Sequence, residues 1–302
     1  MLPYPRVSRV LFFLALLVDG ILAGSVYALI ALAFVVVYKS SRIINFSLGE
    51  WTTFASRLVG TGAHALALPL AGALAFAAAG MTVLAVVFNR VVLHRLIGRP
   101  AISLVMVTIG LGLVLRAATV LFFPAGSEGV SLPVPSQPIE IGGLFLVPAK
   151  LLAAALAGLG VAIVASVYRT RTGLALRAVA DDPQAAMAMG IDVDRHFAIT
   201  WAMAGTIAVV AGTLSTAIWG GGLGLVVIGL KVFPIVVVGG MDSLAGTVVG
   251  ALLVGVLESQ TAGYLNPLLG AGFSSLASYV VLLGFLMARP YGLFGSPRIE
   301  RV

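Results

Sequence analysis

The chain of 302 residues is 60% hydrophobic and only 10% charged, with a mean hydropathy of +1.13. This excludes an ordinary soluble globule, which would expose large apolar patches, and the lack of cysteine excludes a disulfide framework or a thiolate metal site. His64, His94 and His196 are too scattered for a ligand cluster, and the net charge of +7 reads as the Lys/Arg excess of cytoplasmic loops rather than a nucleic-acid surface.

In chain order, apolar segments run over about 10–38, 65–89, 100–123, 149–168, 196–219, 226–239, 245–262 and 273–288. Most reach the roughly 20 residues that a helical crossing needs. The expected fold is all-α: a polytopic membrane helical bundle with eight or nine spans, short or re-entrant helices and a cytoplasmic helix in the loop 169–195, in a single transmembrane domain over 1–302. The first segment is too long for a signal-peptide core and lacks a small-residue cleavage site, so it is expected to stay in the membrane.

Arg90, Arg95 and Arg99 mark one cytoplasmic loop. Arg169, Arg171, Arg177 and Arg195 mark a second, and Arg289, Arg298 and Arg301 mark the C-terminal tail. Residues 124–148 carry Glu128 and Glu140 with no Lys or Arg before Lys150, so that loop faces outward. The N-terminal side is a tie between Arg6 and Arg9 at one end of the first span and Lys39 and Arg42 at the other. If 44–62 crosses as a short helix, the N-terminus is outside and there are nine crossings; if it re-enters, there are eight. Nine is preferred.

The stretch RIINFSLGEW places Asn45, Gly49 and Glu50 between two apolar segments. Gly49 loosens helical continuity and Asn45 offers both donor and acceptors, as expected where a broken helix lines a cavity. Glu50 there either holds a substrate ammonium or anchors a short helix end. Further intramembrane charges are Asp19, Arg57, Arg116, Lys231 and Glu258. Arg57 and Lys231 are read as snorkelling and Glu258 as interfacial. Arg116 lies too deep for that. It either neutralises Glu50 or Asp19 as an ion pair or meets a substrate carboxylate by two parallel hydrogen bonds.

The loop 169–195 contains a helix with its own start and stop: Asp182 can cap it, Pro183 suits its first position and Gly190 its end. Ala185, Ala186, Met187 and Met189 give it a compact, mildly apolar surface that adapts to a partner groove. Either it lies on its own bundle or it docks a cytoplasmic subunit. Farther on, 226–239 and 245–262 form a tight hairpin at Gly239-Gly240-Met241-Asp242-Ser243, where the glycines permit left-handed angles. The chain has no P-loop; the approach at Gly224 to Lys231 has the wrong spacing. Nor is there a serine elbow or an HExxH helix, so no catalytic residue, cofactor or metal ligand is assigned.

Four stretches resemble the smaller membrane-spanning permease of the LIV-type branched-chain amino-acid ABC importers. They are GSVYALIALAFVVVY followed by INFSLGE, the loop GSEGVSLP, RTGLALRAVADDPQAAMAMGIDVDR, and GLKVFPIVVVGGMDSLAGTVVGALLVGVLE. QAAMAMG also has the spacing of the EAA-x-x-x-G coupling motif, with Gln184 in place of Glu. The chain departs from the family at Leu48, a common His position, and at Asp19, Arg116, Asp242 and Ala245.

The resemblance implies an importer permease of the bacterial inner membrane, without an ATPase site of its own. Its implied partners are a second permease, two ATP-hydrolysing subunits and a periplasmic or extracellular binding protein. The implied substrates are branched-chain or other hydrophobic amino acids, with urea, short amides and aromatic carboxylates as alternatives and a stand-alone secondary transporter as a more distant one. Asn45, Glu50, Arg116, Gly239, Gly240 and Ser243 are then expected along the substrate path. Asp182, Pro183, Ala185, Ala186, Met187, Met189 and Gly190 are expected at the ATPase contact.

Overall fold

The computed structural model describes residues 9–96, 98–123, 129–221, 224–270, 272–289 and 292–295. Arg6, Glu128, Arg298 and Arg301 of the charge count, part of the GSEGVSLP loop, and Gly222 and Leu223 lie outside the described residues. The first half comprises α1 (Arg9–Ser41), α2 (Leu48–His64), α3 (Leu70–Val91), a 3-10 turn (Leu93–Leu96) and α4 (Ala101–Phe122). After a two-stranded hairpin of β1 (Ile139–Ile141) and β2 (Leu144–Leu146) come α5 (Pro148–Tyr168), α6 (Arg171–Asp181) and α7 (Pro183–Ala188). The chain continues with α8 (Val193–Trp219), α9 (Gly224–Gly239), α10 (Leu244–Tyr264), α11 (Asn266–Leu269) and α12 (Phe273–Ala288).

Among the described residues six helices are long and apolar enough to cross a membrane, namely α1, α3, α4, α5, α8 and α10; α9 and α12 are apolar but shorter. α1 is hydrophobic all round, and such a helix belongs in the middle of a bundle. The run from Val26 to Val37 is buried. Small residues let α10 approach it closely: a Cβ on Gly24 would fall 2.7 Å from the Ala251 carbonyl oxygen, and one on Gly255 2.6 Å from the Gly24 Cα.

The helix directions follow from polar contacts at the two ends of the bundle. At one end Ser40 hydrogen-bonds the Tyr168 hydroxyl at 2.5 Å, Lys39 donates to the Asp242 carbonyl at 2.8 Å, and Arg42 pairs with Asp181 at 3.7 Å. This end collects Arg169, Arg171 and Arg177, the loop read as cytoplasmic. At the other end Asp19 of α1 meets Lys150 in the first turn of α5 at 2.5 Å, and His64 at the end of α2 hydrogen-bonds the Gly129 carbonyl at 2.6 Å. α1 therefore starts opposite the arginine-rich end and finishes there.

Residues 42–45 are not helical. They climb along α4, where the Phe46 amide donates to the Thr108 hydroxyl at 3.2 Å and that hydroxyl donates to the Ile44 carbonyl at 3.1 Å. Thr108 is about 10 Å up α4 at 1.5 Å per residue. From that depth α2 continues to the far end, so 42–64 traverses the bundle as an extended piece plus a helix and does not turn back. This is the arrangement on which the nine-crossing reading depends.

Candidate functional site: an ion pair between two helices

Asn45 shapes the entry to α2: its Oδ1 accepts from the Ser47 amide at 3.0 Å and the Ser47 hydroxyl at 2.6 Å, a local turn that ends the extended segment. Its Nδ2 is buried and has no hydrogen-bond partner among the described residues. Ser47 then precedes the helix without placing its side chain over the first amides. Glu50 occupies that first turn, where the helix dipole favours a carboxylate.

Arg116, in the outer half of α4, donates from Nη2 to Glu50 Oε1 at 2.6 Å. The two partners differ in environment: the Glu50 side chain is 12% exposed and that of Arg116 47%. Along the rest of α4 the outward face is apolar, with Met106, Leu113 and Val120 all strongly exposed. Gly112, one turn before Arg116, opens the backbone beside Glu50; a Cβ there would lie 3.4 Å from Glu50 Oε2. The result is a guanidinium on an apolar surface, tethered to a nearly buried carboxylate. Such a set can engage an ammonium and a carboxylate at once.

Gly49 does not act as a helix loosener. It permits contact between α2 and α9: a Cβ on it would fall 2.9 Å from the Val226 carbonyl oxygen, and Gly229 faces it backbone to backbone.

Gly239, Gly240 and Ser243 do not join the ion pair. Gly239 is ten residues beyond the Gly49 contact along α9, about 15 Å at the helical rise, at the arginine-rich end. There Gly240 adopts φ +102° and Ser243 caps α10 by accepting from the Gly246 amide at 3.0 Å. Gly239 and Gly246 abut so closely that a methyl on either would overlap the other's carbonyl group. Residues 292–295 strap the turn, with the Leu293 and Phe294 amides donating to Val238 and Gly239 at 2.8 and 3.1 Å.

The other intramembrane charges are also placed. Asp19 is held by Lys150 rather than Arg116. Lys231 and Glu258 do not reach for the interface: both side chains are largely buried, and they pair with each other between α9 and α10. Tyr27 of α1 donates to Glu258 at 2.7 Å and stacks on Trp219, where α8 stops. Arg57 is buried in α2 instead of snorkelling. None of these pairings is visible in spacing, because the partners lie on different helices. Among the described residues no group of three His, Cys, Asp or Glu side chains forms a candidate metal site.

At the arginine-rich end the loop 169–195 folds as its capping residues dictate. Asp182 accepts from the Gln184 and Ala185 amides at 2.8 and 3.0 Å, Pro183 opens α7, and Gly190 turns the chain at φ +82°. The helix proper stops at Ala188, with Met189 as its cap. Met187 and Met189 are 46% and 83% exposed, whereas Ala186 is 4% exposed and seats α7 on its own core. Ala186 therefore anchors the helix rather than offering it to a partner; the outward surface is made by Ala185, Met187 and Met189.

A family described as the permease component of the branched-chain amino acid transport system matches residues 16–288. The high-affinity branched-chain amino acid transport system permease protein LivH of Escherichia coli K12 is 27% identical, the alignment covering 98% of this chain and 99% of that one. BraD of Pseudomonas aeruginosa, a permease protein of the same description, is 28% identical over 96% of this chain and 98% of its own. A probable branched-chain permease of Methanocaldococcus jannaschii is 33% identical over 42% of each chain. Among solved structures, PsaBC from Streptococcus pneumoniae in complex with Fab aligns over 90% of this chain at 15% identity and a TM-score of 0.45.

Proposed function

The chain belongs to the family of branched-chain amino acid transport permease components, and from that premise we propose how its geometry moves a solute. It is a multi-pass membrane subunit of an ATP-binding-cassette importer for branched-chain or other hydrophobic amino acids, a transport subunit that works with ATPase and binding-protein components. The match of the family over residues 16–288 carries this conclusion. The finer assignments are that the chain sits in the inner membrane, has no ATP site of its own, pairs with a second permease, and is served by two ATPases and a periplasmic or extracellular binding protein.

In this proposal the solute passes beside α2 and α4. Glu50 takes the ammonium of the amino acid, Arg116 its carboxylate, and Asn45 supplies a further donor to the same carboxylate. Their mutual ion pair is the resting state of that site. Gly239, Gly240 and Ser243 form the gate on the cytoplasmic side, where the α9–α10 hairpin is strapped. Asp182, Pro183, Ala185, Met187, Met189 and Gly190 form the helix seated on an ATPase, with Ala186 beneath it.

The cycle is alternating access. A solute bound equally in outward and inward states shifts nothing between them, so the driving energy enters through the ATPase contact at α7. Support comes from the position of α7 at the arginine-rich end and from its two exposed methionines.

The test is ATP hydrolysis by the complete transporter in nanodiscs, with and without binding protein loaded with leucine. Stimulation by the leucine-loaded protein is expected. No ATPase co-purifying with the chain would overturn the importer assignment, and stimulation only by another ligand would overturn the substrate.

A further inference from the structure

α7 is continuous with α8 through the turn at Gly190–Asp192, but α8 is also gripped from a second direction. Asn89, in the last turn of α3 and only 5% exposed, donates from Nδ2 to the Asp194 carbonyl at 3.0 Å. His94, in the 3-10 turn that follows α3, hydrogen-bonds through Nδ1 to Asp194 Oδ2 at 2.7 Å. Asp194 is in the first turn of α8, two residues after Asp192, which caps that helix by accepting from the Arg195 amide at 3.0 Å. His94, Met187, Ile191 and Asp194 line one cleft of about 520 Å³ between α7 and the 3-10 turn. At Gly98, the loop from α3 to α4 meets the end of the Gln184 side chain of α7: a Cβ there would lie 3.3 Å from Gln184 Nε2.

Beyond this bridge α2, α3 and α8 interlock. Trp201, two turns along α8 from Asp194, meets the Phe88 ring of α3 edge-on at 5.0 Å and the Trp51 ring of α2 at 5.7 Å. Trp51 is next to Glu50 in sequence, so a displacement of this three-helix block moves the carboxylate of the Glu50–Arg116 pair. α4 meets the block chiefly along α2.

We infer that Asn89, His94 and Asp194 are positioning residues that convert movement of α7 into joint movement of α2, α3 and α8, so that hydrolysis is felt at Glu50. The inference rests on the reading of α7 as the ATPase-docking helix. His94 and Asp194 are each substantially exposed, and exposed polar contacts contribute little to stability, so removing the contact leaves the fold intact while relaxing the link. A coupling route is established by energetic coupling rather than by proximity.

The test uses the complete transporter reconstituted with its ATPases and binding protein. His94→Ala and Asp194→Ala are each expected to lower uptake per ATP hydrolysed about three- to tenfold, within the usual range of coupling effects, with the melting temperature unchanged. The double variant is expected to be no worse than either single one, because both cut the same link. Asp194→Asn, whose side-chain oxygen still accepts from His94, is expected to retain most of the ratio. Unchanged ratios in both alanine variants, or effects that multiply in the double variant, would overturn the inference. Met187→Glu run in parallel separates the two levels. Uncoupling by Met187→Glu with full coupling in His94→Ala removes the bridge alone, while full coupling in Met187→Glu removes the docking reading and the bridge with it.

Discussion

Glu50 and Arg116 meet at 2.6 Å across the contact between α2 and α4, the carboxylate nearly buried and the guanidinium half-exposed. An intramembrane charge is costly when left alone, so each partner neutralises the other until something else takes its place. In the proposed path a zwitterion would satisfy both.

Single replacement of either partner is therefore expected to impair transport while the protein still assembles. Glu50→Gln and Arg116→Gln should each lower uptake at least tenfold, the scale of about 1.4 kcal/mol of lost interaction. Transport of radiolabelled leucine into proteoliposomes measures this, with detergent-stable complex as the control. Wild-type uptake in both variants would dispose of the path assignment.

Gly49 is expected to tolerate no side chain. A methyl there meets Val226 at 2.9 Å, and the facing Gly229 leaves the backbones no room to part. Gly49→Ala should destabilise the protein by about 1–3 kcal/mol, the usual range for overpacking, visible as a lower melting temperature in detergent. If Gly49→Ala melts like the parent chain, α2 and α9 are not packed at this closeness.

Loss of one partner in the Lys231–Glu258 pair leaves a charge stranded between α9 and α10. Lys231→Met alone should cost about 3–5 kcal/mol, whereas Lys231→Met with Glu258→Leu should recover much of that. Thermal unfolding of the three proteins decides it; a single variant as stable as the double one would mean that the pair is not desolvated.

The helix α7, proposed to dock an ATPase, offers two different failures. Met187→Glu charges its exposed face and is expected to reduce uptake while leaving membrane insertion intact. Asp182→Ala removes the cap that accepts from Gln184 and Ala185, at a cost of about 1 kcal/mol to that short helix. Faster amide exchange confined to residues 184–189 would report the second effect. Unaltered exchange would contradict the cap.

Much of this architecture was legible before any coordinates. The apolar runs became α1, α3, α4, α5, α8, α9, α10 and α12 with their ends shifted by only a few residues, because hydropathy and helix length answer to the same solvent. Asp182, Pro183 and Gly190 outlined α7 because capping is local chemistry. Pairing is not local. Nothing near Lys150 in sequence points to Asp19, and nothing near His94 points to Asp194, since each contact depends on the rotation and depth of two helices packed far along the chain. The packing role of Gly49 is hidden for the same reason: its neighbour Gly229 arrives from α9. The charge count alone leaves the direction of α1 a tie; the contact of Ser40 with Tyr168 shows which end of the helix lies with the arginine-rich loop.

The close seam between α1 and α10 also dictates an order of birth. Tyr27 and Glu258, joined by a hydrogen bond, are separated by 231 residues of chain. During synthesis α1 enters the lipid first, and its glycine notches face hydrocarbon until α10 emerges and fills them. The centre of the bundle is thus completed only when α10 arrives, and a nascent chain halted before α10 is a set of inserted helices without a keystone.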